Sequence, residues 1–341
     1  MTSSSLLGSE LPLVAAPMAG GPTSTALAEA VTDAGGFAFL AGGYQKPAAL
    51  AEQIATARGW GSPFGVNLFA PGPDRVDTAA FAAYARALEP EAAAHGVELD
   101  PAPRSDDDHW ADKLALLREN PVPVVSFTFA LPAAGEIAAL RRVGTVVLAT
   151  VTTPAEARAA EESGVDGVVV QGPAAGGHSG TWDPDRAITE AATTEVVRSV
   201  RTVTGLPIIA AGGVDGPGVV RELVHCGAQA VAVGTLLLRA DESGASAAHK
   251  NALAAPEFTG TTITRAFTGR PARALHNGFI DRHQGEAITA YPAVHHLTRE
   301  LRRRAGQAGD TGRMHLWAGT GYRSARTGPA AAILGHLATA L

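Results

Sequence analysis

Residues 165–180 read VDGVVVQGPAAGGHSG, a β-branched run that empties into small residues, a proline and one histidine. The run has no polar alternation, which predicts a short strand buried on both faces, as in a parallel sheet covered by helices. His178 then sits just past the carboxyl end of that strand, behind a turn too rich in glycine to be helical.

The same pattern recurs along the chain. Apolar runs of strand length begin at Pro12 (PLVAAP), Gly36 (GFAFL), Phe64 (FGVNLF), Pro123 (PVVSFTF), Thr145 (TVVLATV), Asp166 (DGVVVQ), Pro207 (PIIAAGG) and Ala230 (AVAVGT). Alanine-rich amphipathic stretches separate them. One begins at Thr23, a candidate cap, and stops at Gly35; another begins at Thr153, before a proline in the first helical turn. Eight strand–helix units predict an α/β fold, a closed (β/α)8 TIM barrel rather than an open sheet.

Two segments interrupt the repeat. Residues 72–111 carry helical stretches and an acidic, proline-bearing loop, an excursion over the barrel mouth after the third strand. Residues 241–312 follow the last strand and predict a smaller second domain. Its basic run TRELRRRAG, from Thr298, reads as a solvated helix face. The expected organisation is therefore a barrel over 1–240, an accessory domain over 241–312 and a segment over 313–341 that returns to close the barrel.

The chain has 341 residues, 46% hydrophobic, enough for a full core and an accessory lobe. Its formal net charge of -6, with 18% charged residues, offers no electrostatic footprint for nucleic acid and favours a small-molecule partner. The N-terminal residues lack a basic leader and a long apolar core, and no stretch approaches the roughly 20 apolar residues of a membrane span. A cytoplasmic protein is expected. Cys226 is the single cysteine and reads as core. The histidines lack metal-ligand spacing, so no metal is expected. Alanine-rich helices look alike whether they face water or a partner, so a homodimer is admitted but not read.

In a (β/α)8 barrel the carboxyl ends of the strands build the site. Glycines directly after the last two strands leave backbone N–H groups free to surround a phosphate, which makes Gly212, Gly213, Gly234 and Thr235 a candidate phosphate cradle. Asn67 and Gln171 place carboxamides at strand tips, each able to donate and accept at the edge of a heteroaromatic ring, or to satisfy a turn. Met18, after Pro17, is a soft apolar contact for such a ring or ordinary core. His178 has the chemistry either to take a proton from a weak carbon acid or, as a cation, to hold an anion.

Taken in order, APMAGGPTS, GVNLF, VVSFTF, QGPAAGGHSGTW, PIIAAGGV, AVAVGT and LWAGTGY resemble the nitronate monooxygenase family across most of the chain. The glycine–histidine stretch is the most specific of these. The resemblance implies an FMN-dependent barrel with the phosphate on Gly212, Gly213, Gly234 and Thr235. Pro17, Met18, Asn67, Gln171, Gly176 and Gly177 would lie along the cofactor, and His178 would match the active-site histidine. It further implies oxidation of alkyl nitronates, with nitroalkanes as a further class, by O2 to carbonyl compounds and nitrite without a nicotinamide.

Thr128 stands where many members carry a histidine, and Ala130 and Ala175 replace a glycine and a glutamate. Thr128 and Tyr322 are expected at the substrate. A similar barrel and glycine–histidine motif occur in flavin-dependent enoyl-acyl-carrier reductases and NADH:quinone reductases, so an NAD(P)H-dependent flavin reductase is the alternative.

Overall fold

The computed structural model describes residues 6–72, 76–339 and 341, so the first five residues of the leader reading and residues 73–75 of the excursion lie outside it. Strands β1 (Leu13–Ala15), β2 (Phe37–Ala41), β3 (Gly65–Phe69), β4 (Val124–Thr128), β5 (Val146–Val151) and β6 (Gly167–Gln171) pair in sequence order. After the two-residue β7 (Gly177–His178), strands β8 (Ile208–Ala211) and β9 (Ala230–Val233) complete a closed, all-parallel barrel in which β9 returns to β1. All eight runs expected from the sequence are its staves.

The strands are apolar on both faces because both are covered. Inward-facing Val14, Phe37, Phe39, Val124, Leu148 and Ile209 fill the barrel, with Leu7 packed among them. The outward faces bury helices α1 (Thr25–Asp33) and α2 (Pro47–Ala57). Two helices of the excursion follow, α3 (Thr78–Ala87) and α4 (Glu89–Ala93); the barrel layer resumes with α5 (Trp110–Glu119), α6 (Ala134–Arg142), α7 (Pro154–Glu162), α8 (Thr193–Arg201) and α9 (Pro217–His225). Thr153 caps α7, its Oγ1 accepting from Glu156 N–H at 3.1 Å. Ser24, not Thr23, caps α1. Thr23 Oγ1 instead accepts from Met18 N–H at 2.8 Å and so shapes the loop after β1.

Beyond β9 come α10 (Ala247–Ala252), β10 (Thr261–Thr264), β11 (Ala272–Leu275), α11 (Gly278–His283) and α12 (Ala293–Ala308). The chain then returns, and α13 (Ala330–Ala338) packs against α1 and α9, closing the helical layer. The excursion packs against the segment that follows β9. Phe81, Tyr84 and Leu88 share a core with Phe267, Phe279 and Leu301, and Tyr84 donates its hydroxyl to the Ala266 carbonyl at 2.6 Å. Buried Glu91 accepts from Arg282, His283 and Arg313. No helix among the described residues is long and apolar enough to cross a membrane.

Candidate active site

Residues 165–180 form a junction between two sheets. After β6 leaves the barrel, Gly177 and His178 form β7, which pairs antiparallel with β11 in a three-stranded sheet, Ala272 opposite His178. Gln171 clamps the turn, donating from Nε2 to the His178 carbonyl at 3.1 Å and accepting from Gly180 N–H at 2.6 Å. Gly176 has a steric reason: a Cβ there would lie 2.5 Å from the Gly319 nitrogen and 2.6 Å from the Ala318 carbonyl carbon. The backbone approach that its small size permits is therefore to the returning chain. Gly177, at φ +76°, opens on free space.

A cavity of about 590 Å³ lies at the carboxyl ends of the barrel strands. It brings together Pro17, Met18, Asn67, Thr128 and Gln171 with Gly212, Gly213, Gly234 and Thr235. Gly176, Gly177 and His178 join them. Tyr322 does not line it. Its ring is 4% exposed and its hydroxyl donates to the Phe258 carbonyl at 2.7 Å, so the sequence-based placement at the substrate is corrected to a packing role.

Gly212 and Gly213 turn at φ +111° and +74°, a left-handed path closed to most side chains. Among the described residues, no hydrogen bond within the chain uses the N–H groups of Gly213 or Gly234. Thr235 Oγ1 accepts from Gly319 N–H at 2.9 Å, which leaves its own proton to donate. Free, uncharged donors in the wall of one cavity match an anionic oxygen cluster. Asn67 uses Nδ2 on Ser126 Oγ at 2.9 Å and Thr128 Oγ1 at 3.0 Å, leaving Oδ1 unspent. The Thr128 hydroxyl also meets Thr150 Oγ1 at 3.2 Å, so it is tied into this polar cluster.

His178 is walled by Trp317, Phe129 and Tyr291, with ring centroids at 5.3, 5.7 and 5.9 Å. Its Nε2 meets Thr268 Oγ1 at 2.9 Å, and Nδ1 has no partner within the described chain. Burial, aided by the charges of Arg270 and Arg302, pushes its pKa down to about 3. The resting imidazole is neutral, which argues against the cationic reading.

Sequence reasoning missed three residues of this neighbourhood. Thr268 reaches His178 only because β7 pairs with β11, and nothing local to either residue signals it. Tyr44, at φ +64°, lines the cavity, stacks on His295 at 4.3 Å and accepts from the Tyr291 hydroxyl at 3.2 Å. Arg302 also lines the cavity and is 6% exposed, which corrects the reading of its run as a uniformly solvated face. Arg303 and Arg304 are about half exposed and paired with Glu300, and Arg303 also reaches the cavity wall. A signal for Arg302 was present: it falls at helical spacing from buried Thr298 and Ala305.

The family model for nitronate monooxygenase matches residues 4–339. The chain belongs to the nitronate monooxygenase family. Family membership makes it an oxidoreductase. It is 36% identical over 341 residues to a nitronate monooxygenase of Pseudomonas aeruginosa, covering 96% of this chain and 95% of that one. Among solved structures it is similar to a nitroalkane oxidase from Streptomyces ansochromogenes, with 45% identity, a TM-score of 0.94 and coverage of 98% of this chain and 96% of that chain. FabK from Thermotoga maritima is more distant, at 26% identity and a TM-score of 0.77 over 99% of this chain and 94% of that chain.

Proposed function

We propose that this nitronate monooxygenase family member binds FMN and oxidatively denitrifies alkyl nitronates, and nitroalkanes after deprotonation, with O2 to give carbonyl compounds and nitrite. The observation that carries the reading is a neutral, partly unpartnered histidine in the same cavity as an uncharged cradle of free N–H donors. The donor set fits FMN: Gly212, Gly213, Gly234 and Thr235 for its phosphate, Asn67 for the polar edge of the ring system, and Met18, Pro17, Gly176 and Gly177 beside it. Bound flavin supplies the electron acceptor for the nitronate and passes electrons to oxygen.

The chain's own residues then do the rest. Thr268 fixes one nitrogen of His178, so the other faces the substrate. For a neutral nitroalkane, Nδ1 takes the α-proton; for a substrate arriving as a nitronate, the opposite tautomer donates from Nδ1 to a nitro oxygen. Phe129, Trp317 and Tyr291 exclude water from the ring. Thr128, tied to Asn67 and Thr150, presents a weaker donor at the substrate end than a histidine would. In domain terms we propose that residues 1–240 hold the cofactor and that 241–312 form an accessory unit supplying Thr268.

The test is an absorbance spectrum of the purified protein, then anaerobic mixing with an alkyl nitronate and, separately, with NADH and NADPH. A flavin spectrum bleached by the nitronate alone, with nitrite on admitting oxygen, is the expected result. The likeness to FabK favours a second reading, an NAD(P)H-dependent reductase, which bleaching by a nicotinamide alone would support. A His178→Ala protein that retained flavin and full turnover would remove His178 from the mechanism.

A further inference from the structure

Arg302 is a buried cation whose partners within the described chain are all neutral. From α12 its Nε donates to Thr298 Oγ1 at 3.0 Å, and one terminal nitrogen contacts His295 Nδ1 at 3.2 Å and the His295 carbonyl at 3.0 Å. The other terminal nitrogen, Nη1, has no partner, and the side chain lines the same cavity as His178. None of the ion pairs among the described residues includes Arg302. Burying an unpaired guanidinium is costly, and the usual compensation is a carboxylate.

Its surroundings do not supply a counter-charge. His178, His295 and His315 are each held neutral by burial, with the charge of Arg302 as a further cause. The Tyr44 phenol, also in the cavity wall, is pushed up to about 12 by burial and stays protonated. A second buried arginine, Arg270, spends its terminal nitrogen on the Thr181 and Phe129 carbonyls and lies 4.0 Å above the Phe129 ring, behind the cavity wall. Arg303 also lines the cavity but is half exposed and paired with Glu300, so Arg302 is the buried, unpaired positive centre that a ligand beside His178 would meet.

We propose that Arg302 recognises the negative charge of the substrate, pairing through its free terminal nitrogen with the nitronate oxygens while His178 remains neutral. This rests on the nitronate reading above and deepens it: charge recognition and proton handling are divided between two residues. The planar guanidinium, with donors in a fixed fork, suits the planar nitronate group.

The test uses the flavin-loaded protein and nitrate, a planar, unreactive oxyanion, titrated by calorimetry and scored as a competitive inhibitor. Arg302→Met should weaken nitrate by about thirtyfold or more and raise the KM for ethyl nitronate similarly, with a much smaller change in kcat and in the KM for neutral nitroethane. Arg302→Lys keeps the charge and loses the fork, so an intermediate loss is expected, and it serves if the methionine variant fails to fold. Unchanged nitrate affinity and unchanged nitronate KM in a folded variant would overturn the proposal. Loss of flavin with nitrate binding intact would also overturn it, assigning the arginine to the cofactor. If the wild type oxidises no nitronate yet binds nitrate through Arg302, the anion site stands and the nitronate reading falls.

Discussion

Replacing Thr268 by valine keeps the side-chain shape and removes one hydroxyl. Thr268 is 1% exposed and its Oγ1 lies 2.9 Å from His178 Nε2, so the substitution leaves a buried ring nitrogen without a partner. An unpaired buried polar group of this kind costs about 1–3 kcal/mol. At about 1.4 kcal/mol per tenfold, the pose that turns Nδ1 to the cavity loses roughly 5- to 150-fold in population. We expect kcat/KM for nitrite release to fall within that range at unchanged flavin content, and Thr268→Ser to recover most of it because the hydroxyl returns. The assay is steady-state nitrite production by the three proteins, with flavin occupancy read from the spectrum. A Thr268→Val enzyme as active as wild type would refute the claim that this bond orients the histidine.

Other perturbations follow from the same geometry. Gly176→Ala drives a methyl to 2.5 Å from the Gly319 nitrogen, so we expect a loss of about 1–3 kcal/mol in chemical denaturation, together with reduced turnover as β7 shifts His178. Burial favours protonation of Glu91, but hydrogen bonds from Arg282, His283 and Arg313 outweigh it and hold the carboxyl at about 2, below its ordinary 4.5. Because the folded-state value is depressed, this stabilisation is present above pH 4.5 and is lost as the pH falls toward 2. Half-exposed Arg282 is screened, which leaves an effect on the order of 2 kcal/mol, and denaturation of Glu91→Gln should show a shallower acid dependence than wild type in that window. Leu334→Ala, at a 2%-exposed site of α13, should cost about 2–5 kcal/mol and lower the melting temperature; an unchanged value would mean that α13 does not seal the barrel.

Much of the fold was legible because β-branched runs at βα spacing admit few arrangements. All eight runs became barrel staves, and the short helix after Thr153 began where its cap and proline placed it. The site was legible at the same level. Residues at strand exits share one end of a barrel by construction, so Met18, Asn67, Gln171, His178 and the two glycine turns met without any long-range information.

Tertiary structure decided what those residues touch. Thr268 lies 90 positions from His178 and reaches it only through the pairing of β7 with β11. Tyr322 was placed at the substrate from its neighbours in sequence, yet the returning chain turns its hydroxyl onto Phe258. In the run Arg302–Arg304, composition is uniform and burial is not: helical rotation places one guanidinium against Thr298 and His295 and leaves the next two half exposed on Glu300. Periodicity in a chain records which face of an element is buried. It carries no record of what covers that face, and for His178 and Arg302 the covering decides the charge state and the free atoms that chemistry can use.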